Sequence, residues 1–128
     1  DQVAYACASR YSGSYVVTLS VDKVNFKEPI HVGELVTFLA SVNHVGRTSM
    51  EIGIRVEAQN IQKRTVRHTN SCYFTMVAVD EQGKPKHIPG LNLDNDWKRC
   101  RFEAAEHRKI ARLSENHHPS CSIYKKSV

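Results

Sequence analysis

No run of 18 or more apolar residues occurs anywhere in the 128-residue chain, so no stretch of it reads as a membrane-spanning helix. No signal peptide opens it, which makes the cytoplasm the expected location. There is no C-x-x-C pair either. Cys7, Cys72, Cys100 and Cys121 lie far apart, two of them in apolar stretches where a thiol acts as a small hydrophobe, and all four read as reduced and structural. His31, His44, His68 and His107 show no metal-ligand spacing, the pair His117-His118 is incidental, and no metal is expected. No Ser or Cys nucleophile can be placed with a partner Asp, so the polarity of His68-Thr69-Asn70 reads as the lining of an interface or cleft rather than as a triad. No internal repeat is evident. The chain also opens with neither an initiator Met nor a lead-in to its first helix, from which upstream residues are expected.

What is present is ordinary for a globular protein, 41% hydrophobic and 24% charged, and the length supports one core. A single domain over 1–113 with a flexible tail over 114–128 follows. Lys and Arg outnumber Asp and Glu by 18 to 13, which suits an anionic partner such as nucleic acid, a phosphorylated ligand or a membrane surface, and equally suits a protein that is merely basic.

The first eleven residues, Asp1 to Tyr11, are mostly small and apolar around the whole circumference of a helix, predicting a buried core helix with Gly13 as its left-handed cap. Asp1 is the one charge on its first turns. A strand with one apolar side follows over Tyr15 to Phe26, broken at Lys27-Glu28-Pro29, and a second, covered on both faces, spans Leu35 to Val42. Beyond Gly46-Arg47, Met50, Ile52, Ile54, Val56 and Ala58 alternate with Glu51, Gly53, Arg55, Glu57 and Gln59, predicting a strand with one dry and one wet face. Asn60 to Arg64 reads as a hairpin loop, Val66 to Val79 as a fourth strand, and Asp80 to Pro85 as a turn. Asp96 to Leu113, capped by Asp94, Asn95 or Asp96, predicts an exposed amphipathic helix rich in arginine.

The resulting class is α+β. A curved antiparallel sheet needs its concave face filled, and the opening helix is the element suited to fill it, with the C-terminal amphipathic helix outside; this is the hotdog architecture. Its edge strands call for a second copy, paired along Tyr15 to Val24.

The residues resemble the hotdog-fold acyl-CoA thioesterases. The matching text is Asp1 heading an Ala-rich helix, Tyr15-Val16-Val17-Thr18, Val21-Asp22, Phe26-x-x-Pro29-x-x-Val32-Gly33-Glu34, Thr48-Ser49-Met50-Glu51, and Phe74 to Asp80 with Gly83-Lys84-Pro85. The resemblance implies hydrolysis of fatty acyl-CoA to free acid and CoA. It implies Asp1 as the general base, in a site shared across a dimer; without it, Asp1 is a plain helix cap. It sets Val17 and Thr18 beside the pantetheine amides, and Thr48 and Ser49, with Arg47 next to them, beside the thioester arm, where ordinary turn chemistry is the other reading for Arg47. Arg108 and Lys109 are the candidates for the CoA phosphates, or a solvated basic face. The family's Asn and glycine-rich oxyanion loop lie ahead of the helix and outside these residues. By resemblance the assembly is a hexamer made as a trimer of dimers, with no cofactor beyond the substrate's own CoA and with neither nucleic acid nor membrane as partner. Two other readings are a hotdog dehydratase, whose helix would carry a His that Asp1 to Tyr11 lacks, and a catalytically silent hotdog domain binding acyl-CoA or nucleic acid as a regulator.

Overall fold

Helix α1 (Gln2–Ser12) ends where glycine permits it: Gly13 sits at φ 62°, ψ 24°, and its N–H donates to the Ser9 carbonyl at 2.9 Å. The chain turns at once into β1 (Tyr15–Phe26), followed by β2 (Leu35–Val45), β3 (Ser49–Asn60), β4 (Thr65–Val79) and α2 (Asp96–Asn116). These elements come from a computed structural model that describes residues 1–116. The tail expected over 114–128 therefore begins inside α2, and residues 117–128, with His117, His118 and Cys121, lie outside the described residues. No helix among those described is long and apolar enough to cross a membrane.

The four strands form one antiparallel sheet in the order β1-β4-β3-β2, so β1 and β2 are its edges. The hairpin between β3 and β4 is fixed by Asn60, whose Oδ1 accepts from the N–H groups of Gln62 and Lys63 at 3.1 Å each. Asn95 caps α2, its Oδ1 accepting from the Lys98 N–H at 2.9 Å.

Helix α1 rests on one face of all four strands. Ala4 and Ala8, one turn apart, are fully buried, and their small size lets the helix axis approach Met50, Ile52, Ile54 and Val56 of β3 and Phe74, Met76 and Ala78 of β4. Burial of each large member, Ile52 or Met76, contributes about 1.5–3 kcal/mol. The helix is not buried all round as its composition predicts. A single sheet covers one side only, and Gln2, Tyr5, Ala6 and Arg10 remain exposed.

Three strand expectations change as well, two toward exposure and one toward burial. Among the described side chains of β1 only Val16 is buried, while Tyr15, Val17, Leu19 and Val21 are at least half exposed. In β2, Leu35, Phe38 and Leu39 are about half exposed rather than covered. In β3 the supposed wet face is dry at one end: Glu51 and Gly53 are buried where one side of the otherwise exposed α2 docks on the outer face of the sheet, while Arg55 is exposed and Glu57 and Gln59 are half-buried. That docking uses Ala105, 1% exposed, and Phe102, which stacks on His44 at 4.4 Å between ring centroids.

Candidate active site

Asp1 occupies the cap position of α1 yet makes no side-chain cap bond. Its carboxylate turns to the sheet, where Oδ1 accepts a 2.8 Å hydrogen bond from the Thr18 hydroxyl on β1. Thr18 shares the α1 face with Met76, which is its register partner and whose sulfur lies 3.4 Å from the same hydroxyl. The structure thus joins two sequence-predicted site residues and leaves the first N–H groups of α1 without a side-chain acceptor.

A second cluster forms at the β2–β3 turn. The Gly46 N–H donates to the Ser49 carbonyl at 2.8 Å, and a Cβ placed on Gly46 would stand 3.2 Å from Ser49 Oγ and 3.8 Å from Lys109 Nζ. Lys109 of α2 is therefore held at the same turn as Ser49. Thr48 is tied through its carbonyl to the Ala78 N–H at 2.9 Å, and exposed Arg47 through its carbonyl to the Ile88 N–H at 3.1 Å. Val17, Val77 and Ser49 form one row across β1, β4 and β3, and Thr18, Met76 and Met50 form the next. Since neighbouring residues of a strand point to opposite faces, Val17 and Ser49 face the α2 side while Thr18 and Asp1 face the α1 side.

Arg108 is not a free cation on a solvated face. Its Nη2 and Nε reach the two carboxylate oxygens of Glu51 at 2.6 and 3.1 Å, and its guanidinium lies 3.7 Å over the ring of Tyr73. Burial, the largest single influence, works against the Arg108 charge, but the Glu51 hydrogen bond together with the nearby Glu51, Tyr73 and Asp22 groups holds the pKa above the usual arginine value. Arg112 is similarly committed, to Asp22 at 2.7 Å and to the Thr75 hydroxyl at 2.8 Å. Of the two residues expected at the CoA phosphates, Arg108 is thus already paired with a carboxylate of its own chain.

Sequence reasoning missed the partners of these arginines. Asn43 and His44 are adjacent in β2 and both buried beneath α2, because a bulge between Val42 and His44 turns two consecutive side chains to one face. Asn43 accepts from the Ser41 hydroxyl at 2.8 Å, and His44 Nε2 lies 3.2 Å from Glu106. Strict alternation would have separated them, and the sequence carries no local signal for the bulge.

At the far end of the sheet Arg67 clamps the loop after β1, reaching Glu28 at 3.0 Å, the Pro29 carbonyl at 3.2 Å and Glu34 at 2.6 and 2.7 Å. The Arg67 hydrogen bonds, and then the His31 N–H, hold the Glu34 carboxyl below the usual range. Cys7, Cys72 and Cys100 are free thiols, and burial raises the pKa of the first two, which keeps them protonated and inert. His68 pairs with the Ser71 hydroxyl at 2.7 Å, and Thr69, 1% exposed, donates to the Val56 carbonyl at 3.2 Å. Among the described residues no three His, Cys, Asp or Glu side chains converge as a metal site.

Comparison with known proteins places these features in a family context. The model of the thioesterase superfamily matches residues 1–65. Protein VdlD of Helicobacter pylori (strain ATCC 700392 / 26695) is 54% identical over 112 residues, covering 88% of this chain and 64% of VdlD, so the chain spans less than two thirds of that relative's length. The cytosolic acyl coenzyme A thioester hydrolase of Mus musculus is 34% identical over 114 residues, covering 86% of this chain and 29% of the mouse protein. Among solved structures, an apo-hexameric acyl-CoA thioesterase superposes with a TM-score of 0.88 at 36% identity, over 93% of this chain and 76% of that one. The acyl-CoA hydrolase of Staphylococcus aureus, in complex with butyryl coenzyme A, coenzyme A and coenzyme A disulfide, superposes with a TM-score of 0.79 at 32% identity, over 91% and 73%.

Proposed function

The chain belongs to the thioesterase superfamily, and on that premise we propose that it hydrolyses acyl-CoA thioesters, fatty acyl-CoA among them, to a free acid and CoA. The observation that carries this reading is the orientation of Asp1: a carboxylate at a helix N-terminus that serves as a plain cap bonds its own first turn, whereas this one bonds Thr18 across the α1 face of the sheet. Asp1 takes a proton from a water molecule as the oxygen adds to the thioester carbonyl carbon. The tetrahedral intermediate then collapses with cleavage of the C–S bond, and the proton held on Asp1 passes to the departing thiolate. Thr18 fixes the rotamer of the base while leaving the other carboxylate oxygen for the water.

β1 supports the binding side of this reading. It is an edge strand, so its outward N–H and C=O groups near Val17 and Thr18 have no ladder partner within the chain and suit the amides of a pantetheine arm. Along the same edge, Tyr15, Leu19, Val21 and Phe26 are 67%, 67%, 50% and 78% exposed, apolar side chains that bulges in β1 distribute over both faces and that suit pairing with β1 of a second copy. A solved relative is hexameric, which supports a hexamer here, built as three such dimers. Arg47, Thr48, Ser49 and Lys109 take the substrate's polar arm on the opposite face, so the thioester reaches Asp1 around the β1 edge, where a partner copy would complete the wall.

The test is release of CoA from a short and from a long acyl-CoA, alongside light scattering. Turnover of both by an oligomer is expected. Tight binding of acyl-CoA with no release of CoA would reduce the protein to a silent binding domain, and an active monomer would remove the shared site.

A further inference from the structure

Between α2 and the outer face of the sheet lies a cavity of about 330 Å³ that the hydrolysis reading does not use. Two of the residues that line it lack bulk, Ala104 on α2 and Gly53 on β3, which leaves the space open. A Cβ on Gly53 would stand only 2.3 Å from Asn43 Nδ2, so the Asn43 amide lies flat against the bare strand and forms the cavity floor.

The chemistry of the walls is one-sided. Arg55, Arg101 and Arg108 all line the cavity and no carboxylate does. Arg108 is neutralised by Glu51. Arg55 is held only by an exposed pair with Glu57, which exchanges readily with another anion. Arg101 has no carboxylate partner among the described residues and is steadied instead by stacking over Trp97 at 4.1 Å. At the floor, Asn43 is 5% exposed, and its two amide protons find one acceptor, Glu51 Oε1, at a long 3.4 Å. A buried donor left so poorly used, facing a cavity walled by guanidinium groups, is matched to an anion rich in acceptor oxygens.

We propose that this cavity binds a phosphate-bearing small molecule, with Arg101 and Arg55 at its mouth and the Asn43 amide at its floor. Planar guanidinium groups meet phosphate oxygens two at a time, and the volume falls at the lower end of small-molecule sites, enough for a diphosphate and a few further atoms. Two sources share that chemistry. One is the nucleotide end of CoA: Ser49 and Gly53 are four residues apart on β3, roughly 13 Å at 3.3 Å per residue, a span that a pantetheine arm covers. The other is a free phosphorylated ligand that sets activity from outside the reacting centre. The first source rests on the thioesterase reading; the second does not.

Calorimetric titration of the protein with inorganic pyrophosphate at low ionic strength tests the site without turnover, so its outcome is independent of whether the protein hydrolyses anything. The wild type should bind, and the pair Arg55→Gln and Arg101→Gln should weaken binding about tenfold or more, as loss of charge-assisted hydrogen bonds does. Arg99→Gln, which removes an equal charge elsewhere on α2, should change it by no more than about twofold if contact rather than overall field is responsible. Circular dichroism checks that the variants are folded. Displacement of pyrophosphate by CoA but not by pantetheine assigns the site to the substrate; undiminished binding to CoA-saturated protein assigns it to a separate ligand. No binding by the wild type, or equal weakening by Arg99→Gln, overturns the proposal.

Discussion

Arg108 on α2 holds both carboxylate oxygens of Glu51 on β3, at 2.6 and 3.1 Å, across an interface that leaves the Glu51 side chain 8% exposed. Removing one partner strands a buried charge, so Arg108→Met should destabilise the fold by about 3 kcal/mol. Adding Glu51→Leu to the same variant should recover most of that loss, since two apolar side chains of similar volume can replace a buried pair nearly neutrally. Chemical denaturation of the three proteins checks this. A double variant no better than Arg108→Met would show that the pair is not what fixes α2 to the sheet.

The same ion pair shows why some of the molecule was legible in advance and some was not. Strand and helix positions followed from local pattern: the period of two in Met50 to Ala58 and the left-handed glycine at position 13 each depend on residues adjacent in sequence. The candidate site was half legible, because Asp1 and Thr18 were each named while the hydrogen bond between them depends on how α1 lies on β1. Glu51 was misread as solvent-facing because its burial is imposed by α2, more than forty residues away, and Asn43 went unread because it lies at a bulge with no sequence signature. Arg108 read as a phosphate ligand or as part of a solvated face, since nothing local to it reveals Glu51 as its partner.

The clamp between Arg67 and Glu34 carries a pH signature. The Glu34 carboxyl is held below its usual value, so it contributes stability that is fully present above its unfolded pKa of about 4.3 and is lost as pH falls through the lower folded value. Urea midpoints of wild type and Glu34→Gln should therefore differ at pH 7 and converge progressively as pH falls below about 4.3. A gap that shows no narrowing at any pH below that value would mean that the carboxylate charge is not what holds the loop after β1.

Gly53 should tolerate no side chain. With an added Cβ 2.3 Å from Asn43 Nδ2, Gly53→Ala must push a buried amide off its floor position, at a cost of about 1–3 kcal/mol. Asn43→Ala in the same background should relieve part of that penalty, because the clash is with that amide. Thermal melts that show the two changes to be simply additive would contradict the close approach.

In the proposed mechanism Thr18 positions the base rather than taking part in proton transfer. Thr18→Val should lower kcat about tenfold or more through loss of a hydrogen bond to a charged group, with KM little changed. Thr18→Ser, which keeps the hydroxyl, should restore most of the rate, an outcome that a purely structural threonine would not give.

The proposed mechanism depends most on the Asp1 carboxylate. Single-turnover hydrolysis of an acyl-CoA by wild type and by Asp1→Asn, with fold and assembly verified by circular dichroism and light scattering, isolates the chemical step from binding and product release. Since Asn keeps the shape of the side chain and can still accept from Thr18 but cannot take a proton from water, the rate should fall by roughly 10²-fold or more. A well-folded Asp1→Asn protein that releases CoA at the wild-type rate would contradict the assignment of the base.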